Sequence, residues 1–175
     1  FFSNSTILGT GFGLPYYWAI SNDKDITFTP KLYTNENMLF LNEYRQDFGN
    51  AYLTLDTSYN QGYKKTSSSK TGGSRNHVFA ELDINLSQDQ SYESDLSVKV
   101  QKTSNDTYLR IHDINTALVD AKNTNLENKI SYNFSKNNMY LDLSATIFED
   151  LTEKTNDRYE YILPNILYGK TFFTE

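Results

Sequence analysis

Apolar and polar residues alternate along most of this chain, in runs that short polar turns interrupt. In the clearest run, residues 78–86, the even-numbered positions are apolar, whereas Glu81, Asp83 and Asn85 are polar. Successive side chains of a β-strand point to opposite faces of a sheet, so a period of two indicates strands. The alternation therefore predicts an all-β chain whose sheet has one apolar face and one polar face.

Nine such runs occur, separated by clusters of Gly, Asn, Asp and Ser that favour turns. They span residues 14–20, 25–34, 38–48, 51–59, 78–86, 92–100, 126–134, 140–147 and 159–173, the last with Pro164 inside it. The apolar residues of the segment 107–123 fit either a short helix or a folded loop. We expect about nine strands and almost no helix.

The connections between the later runs alternate in length. Those at Gly49–Asn50, Gln88–Gln90 and Lys136–Asn138 are short, and longer ones at 64–76, 106–125 and 150–157 lie between them. Outer-membrane barrels of the up-and-down kind have short turns at one end and long loops at the other. The alternation predicts antiparallel up-and-down connectivity.

The composition leaves two kinds of all-β protein open. No stretch approaches 18 consecutive apolar residues, which excludes a transmembrane helix but not a membrane barrel. A mean hydropathy of -0.62 beside 14 Tyr and 11 Phe fits a barrel, and it also fits a soluble β-sandwich. Runs of about 9 to 11 residues, long enough to cross a tilted bilayer, favour the barrel. So do the aromatic residues near the ends of the runs, as in interfacial girdles.

Charge and residue types argue against several other functions. The 16 basic and 22 acidic residues give a net charge of -6, whereas nucleic-acid binding needs clustered Lys and Arg. The absence of Cys excludes thiolate chemistry and disulfides in this segment. The neighbours His112 and Asp113 invite comparison with a catalytic dyad, but adjacent strand residues face opposite ways. We expect a surface-loop histidine there, with no catalytic residue, metal site or cofactor.

Several motifs of the chain resemble those of one known family in their order and spacing. They are Leu14–Ile20 (LPYYWAI), Asp25–Pro30 (DITFTP), Asn42–Arg45 (NEYR), Ser104–Arg110 (SNDTYLR) and Tyr161–Asn165 (YILPN). Together they are similar to the opening strands of the LptD (organic solvent tolerance) family. The similarity is specific from Pro15 to Arg45 and loose elsewhere.

The resemblance implies a fold and a function for the chain. Residues 1–175 are expected to be an internal segment, the N-terminal part of a large antiparallel up-and-down transmembrane β-barrel in the bacterial outer membrane. Such a barrel inserts lipopolysaccharide into the outer leaflet and has no enzymatic activity. The implied partners are lipopolysaccharide, an LptE-like plug lipoprotein and a periplasmic bridge protein. The disulfides of the family cannot be carried over, because the segment has no Cys.

Two sets of residues are candidates for this function. Pro15 and Pro30 cannot donate to a strand ladder, and the resemblance places them at a lateral gate where weak pairing lets a lipid leave. The alternative is that each marks a strand start or a bulge. The polar residues Glu81, Asp83, Asn85, Glu127 and Lys129 are candidates for a lumen lining, the alternative being an ordinary solvated face.

Two other functions share the strand pattern. A passive outer-membrane channel or receptor barrel would have the same alternation without the opening motifs. A soluble β-sandwich would bury its apolar face against a second sheet and act as a binding module.

Overall fold

The computed structural model describes residues 2–67, 70, 72–87, 91–153 and 156–172. These residues form one sheet of eleven strands, a short helix and a 3-10 turn. The strands are β1 (Phe2–Ser5), β2 (Gly9–Gly13), β3 (Tyr16–Ser21), β4 (Lys24–Tyr33), β5 (Leu39–Asp47), β6 (Ala51–Asn60), β7 (Arg75–Asn85), β8 (Glu93–Thr103), β9 (Asn125–Lys136), β10 (Met139–Asp150) and β11 (Tyr159–Lys170). Helix α1 spans Tyr108–Ile111 and the 3-10 turn spans Asn156–Arg158.

The sheet is an antiparallel up-and-down meander with one interruption. Strands β2 and β3 both pair with β4, lying end to end beside it. Gly13 faces Lys31 and Tyr16 faces Phe28, so the register is the same on both sides of the break. We therefore treat β2 and β3 as one strand interrupted at Leu14 and Pro15. Among the described strands β1 and β11 do not pair with each other, so the sheet is open.

The structure confirms the all-β antiparallel class and adds two strands to the predicted nine. The nine runs correspond to β3–β11, and the two missed strands are β1 and β2. Strand β2 escaped detection because its sequence, GTGFG, contains one apolar side chain among three glycines. The segment 107–123 combines the two predicted alternatives, a short helix and a folded loop, since α1 forms one helical turn within the loop.

Short and long connections occupy opposite ends of the sheet, as the spacing predicted. The short-turn end has residues 22–23, 48–50 and 137–138, whereas the described residues at the long-loop end are 34–38, 61–67, 70, 72–74, 104–124, 151–153 and 156–158. Gly49 has a φ of +85°, a conformation that its lack of a Cβ permits. The predicted turn at Gln88–Gln90 lies outside the described residues.

The register sorts the side chains into two faces, because directly opposed residues of antiparallel strands point the same way. One row that crosses β6 to β11 is entirely apolar: Ala51, Ile84, Leu96, Tyr132, Leu143 and Ile166. The adjacent row on the other face is polar from β7 onward: Asp83, Ser97, Ser131, Ser144 and Asn165. The predicted two-faced sheet is therefore present.

Near the long-loop end of strands β6 and β7, the polar face of the sheet is more buried than the apolar face. On β6 the polar-face residues Thr54, Asp56 and Ser58 are buried, while Leu53 and Leu55 on the apolar face are only half-buried. On β7 His77 is fully buried, and its neighbour Val78 is 43% exposed. The sheet thus presents its apolar face outward and covers part of its polar face.

The cover on the polar face is the connection between β8 and β9, residues 104–124, which we call the covering segment. Its apolar side chains complete a hydrophobic cluster at the long-loop end of the sheet. The buried members are Leu8, Tyr33, Leu39, Leu41, Phe79, Tyr108, Leu109, Ile114, Val119, Leu126 and Leu151. No helix in the described ranges is long and apolar enough to cross a membrane.

Candidate functional site

The five polar residues predicted to line a lumen lie on one face of the sheet. Glu81, Asp83 and Asn85 alternate along β7, and Glu127 and Lys129 lie on β9. Lys99 of the intervening strand β8 faces both Glu81 and Lys129 in register. Four of the five line a common groove of about 300 Å³; Asn85 lies nearer the short-turn end, opposite Asp95.

Lys99 joins the acidic side chains of this groove. Its Nζ lies 3.1 Å from Glu127 Oε2 and 3.6 Å from Glu81 Oε1. All three side chains are 31–39% exposed, so water screens the pairs and each contributes less than about 1 kcal/mol to stability. The groove therefore presents both signs of charge without being held rigidly.

Pro15 lies in the interruption between β2 and β3, next to Pro30 of the neighbouring strand β4 and one residue away from it in register. The N–H of Leu14 donates to the carbonyl oxygen of Pro30 at 3.2 Å. Antiparallel partners in such a pair normally exchange two hydrogen bonds, and Pro30 has no N–H to make the second. The interrupted β2–β3 strand is therefore held to β4 by one bond fewer at this point.

The two prolines differ in which side of the strand they weaken. Pro15 is one residue beyond the bonded Leu14, where the alternating ladder turns the backbone nitrogen and oxygen away from β4. Its missing donor faces the outer edge of the sheet. Pro15 directly precedes β3 and so also fits a strand start, whereas Pro30 lies inside β4, and its register with β5 is unbroken.

Pro164 provides an internal comparison. Its strand, β11, is the outermost one at the other side of the sheet. The register between β10 and β11 shifts between Ser144 and Thr146, which places Leu163 and Pro164 opposite the single residue Ala145. A bulge on an edge strand accommodates a proline at little cost. Pro164 thus fits the ordinary structural explanation that Pro30 does not.

A buried chain of hydrogen bonds, which sequence reasoning missed, attaches the covering segment to the polar face. Tyr108 OH lies 2.7 Å from Ser58 Oγ, Ser58 Oγ lies 2.5 Å from His77 Nδ1, and His77 Nε2 lies 2.8 Å from Asp56 Oδ1. A carboxylate only accepts, so the proton of the imidazole belongs on Nε2. With Ser58 donating to Nδ1 and Tyr108 donating to Ser58, each of the three hydrogen bonds has one donor and one acceptor.

The Asp56–His77–Ser58 order invites comparison with a hydrolase triad, but the hydroxyl cannot act as a nucleophile in this arrangement. Ser58 is 4% exposed, and its oxygen lies between His77 and Tyr108. Burial raises the pKa of the Tyr108 phenol, which keeps its proton available for Ser58. These hydrogen bonds therefore act as a tether between the sheet and the covering segment.

The expectation of a surface-loop histidine at His112 is wrong. The side chain is 5% exposed, because the covering segment folds inward and packs the ring against those of Tyr33 and Tyr108. Burial, followed by the nearby charges of Lys31 and Arg75, lowers the pKa of His112 to about 4. The carboxylate of Asp113 accepts a hydrogen bond from Asn115, and no hydrogen bond joins it to His112 in the described part of the chain.

Within the described ranges, no group of three or more His, Cys, Asp or Glu side chains could hold a metal ion. The missed residues Asp56, Ser58 and His77 carried one signal in the sequence: polar residues at alternate positions on the predicted strand 51–59, and a histidine beside the run 78–86. No model of a protein family matches the chain, and no curated protein matches it.

Proposed function

We propose that this chain is part of an outer-membrane β-barrel that inserts lipopolysaccharide into the outer leaflet through a lateral seam. The observation that carries the proposal is the burial pattern of the sheet. The row of apolar side chains that crosses strands β6 to β11 contains no buried residue, which suits contact with lipid, and a polar face that is partly covered suits a lumen.

The dimensions of the sheet support a bilayer as the environment of the apolar face. Strands β4 to β11 have between 9 and 12 residues each, and a tilted spanning strand needs about 9 to 11. Trp18, Tyr59 and Tyr161 are 56%, 48% and 59% exposed near strand ends. Exposed aromatic rings at such positions fit membrane–water interfaces.

The seam is the part of the proposal on which export depends. At the edge formed by β3, Pro15 withholds a donor from any strand that approaches from outside, and Pro30 removes a bond between that edge and β4. Both effects weaken strand pairing at one place. The polar groove around Lys99 supports a lumen for sugar head groups, and the resemblance to the LptD family supports lipopolysaccharide as cargo, with an LptE-like lipoprotein and a bridge protein as partners.

Depletion of the full-length protein tests the function. If it exports lipopolysaccharide, depleted cells should lose newly labelled lipopolysaccharide from their surface and accumulate it at the inner membrane. Normal surface lipopolysaccharide with reduced solute uptake would instead indicate a passive channel or receptor. Recovery of the protein in the aqueous fraction without detergent would indicate a soluble binding module, although every described strand belongs to one sheet and no second sheet covers its apolar face.

Replacement of the two prolines tests the seam separately. In the full-length protein, P15A with P30A restores one donor toward the outer edge and one toward Leu14, and surface lipopolysaccharide should then appear more slowly. P164A is the matched control, because its bulge lies at the opposite edge. An export rate in the double variant equal to that of the control would contradict the seam.

A further inference from the structure

Strands β1 and β2 form a hairpin at one edge of the sheet, which we call the edge hairpin (residues 2–13). Its backbone attachment to the rest of the sheet is short. Three residue pairs join β2 to β4, and two backbone hydrogen bonds extend this pairing past Tyr33. On its other side the attachment ends at the interruption before β3. A hairpin held by so few backbone bonds depends on side-chain packing to stay in place.

The covering segment supplies that packing. Leu8, in the turn of the edge hairpin, is 3% exposed and belongs to the same hydrophobic cluster as Tyr108, Leu109 and Ile114 of the covering segment. Its neighbour Ile7 is 37% exposed and does not belong to the cluster. The burial of Leu8 is favourable only while the cluster is assembled, because it removes apolar surface from water. Docking of the covering segment therefore stabilises the edge hairpin.

Tyr33 of β4 lies where the hairpin and the covering segment meet. It is opposite Gly11 in register, and a Cβ at Gly11 would lie 3.0 Å from two carbons of the Tyr33 ring. The ring therefore lies over β2, and it also packs against the ring of His112, with 5.6 Å between their centres. Nearby, Lys31 Nζ donates to the backbone oxygen of Asp113 at 3.2 Å. These contacts join β2, β4 and the covering segment at one place.

The position of the edge hairpin determines how much of this sheet edge is free. Strand β2 pairs with the long-loop end of β4, and β3 pairs with the short-turn end. Strand β1 covers the outer side of β2, whereas among the described residues no strand covers the outer side of β3. The long-loop half of the edge is thus occupied only while the hairpin stays on β4.

We propose that the covering segment is a latch on this edge. While the segment is docked on the polar face, it holds the edge hairpin against β4; when the segment leaves, the hairpin loosens and the long-loop half of the edge becomes free. The role of the latch in export rests on the proposed function, in which this edge is one side of the seam. There the docked segment confines the free edge to β3, beside Pro15, until the segment is displaced from the lumen.

Hydrogen exchange of the full-length protein in detergent tests the latch. Y108A removes the attachment of the covering segment, and peptides from residues 2–13 should then exchange faster, although Tyr108 lies about a hundred positions away in the sequence. Couplings between sites correspond to factors of about 5 to 150, so an acceleration of at least about fivefold is expected. Peptides from β8 are the internal reference. Unchanged exchange of residues 2–13 beside a faster covering segment would overturn the proposal.

L8A tests the same coupling from the side of the hairpin, because a coupling between two sites is reciprocal. Peptides from residues 104–124 should exchange at least about fivefold faster in L8A than in wild type. I7A is the matched control, since it truncates the exposed neighbour, and it should leave this exchange unchanged. Equal exchange of the covering segment in L8A and I7A would refute the latch.

Two further outcomes are decisive. Acceleration of β8 to the same extent in L8A would show a loosened sheet and would also overturn the proposal. If Y108A does not fold, Y108F replaces it, and residues 2–13 should again exchange faster than in wild type. Exchange is measured on purified protein and does not depend on export. Failure of the latch therefore leaves the export proposal standing, and normal surface lipopolysaccharide after depletion would leave the latch standing.

Discussion

Removal of the Tyr108 side chain should release the covering segment from the sheet while leaving the sheet folded. Tyr108 is 1% exposed, packs against the rings of His77 and His112, and forms the end of the hydrogen-bond chain to Asp56. Truncating a buried aromatic residue to Ala costs about 3–5 kcal/mol. The strands β6 and β7 retain their ladder, so this cost falls mainly on the docking of residues 104–124.

The hydroxyl and the ring of Tyr108 can be separated experimentally. Y108F keeps the ring and removes only the hydrogen bond to Ser58, which still bonds to His77. The loss of one such bond costs about 1–1.5 kcal/mol, or roughly 5- to 13-fold in the opening equilibrium. Y108A should increase opening by a further factor of at least about 10.

Hydrogen exchange measured by mass spectrometry on the full-length protein distinguishes the two variants. Peptides from the covering segment should exchange faster in the order wild type, Y108F, Y108A, and peptides from β8 provide the internal reference. Exchange of the covering segment in Y108A within twofold of wild type would refute the view that this residue attaches it. Equal acceleration in both regions would mean that the whole sheet has loosened.

Three further predictions concern charge. Burial lowers the pKa of His112 from about 6.5 to about 4, so the histidine of the undocked covering segment binds a proton first as the pH falls. Docking of the segment should therefore weaken by up to about 1.4 kcal/mol per pH unit between pH 6.5 and pH 4. Hydrogen exchange of residues 104–124 measured against pH should show this dependence in the wild type and lose it in H112F. Arg158 forms ion pairs with the buried Glu149 and with Asp106, so R158M should lower the free energy of unfolding by about 1–3 kcal/mol. The heat-induced change in gel mobility that reports unfolding should then occur at a lower temperature. An unchanged unfolding temperature would contradict this prediction. K99A should lower the free energy of unfolding by less than about 1 kcal/mol, because the ion pairs of Lys99 are exposed to water. A larger loss would show that the groove is held more rigidly than its exposure indicates.

The structure gives Pro15 and Pro30 different positions in the sheet. The sequence identified Pro15 and Pro30 because neither can donate to a ladder, but it left a strand start or a bulge as the alternative. The register then separated them, since Pro30 interrupts an otherwise regular strand and Pro15 precedes one. The hydrogen bond from Leu14 to Pro30 determines toward which neighbouring strand each proline lacks an N–H donor. The sequence around each proline does not contain that information, because the bond joins two strands.

By itself, the sequence determined the strands and their two faces, because alternation is a local property that each run carries on its own. It missed β1, which has only four residues, and β2, where three glycines remove the alternation. Only the tertiary structure decided that the covering segment packs on the polar face, which buries polar residues of β6 and β7 near the long-loop end. Ser58 lies 19 residues from His77 and 50 from Tyr108, so their contact requires strand pairing and an inward-folded loop. The buried tether arises from these long-range contacts, which a period of two cannot encode.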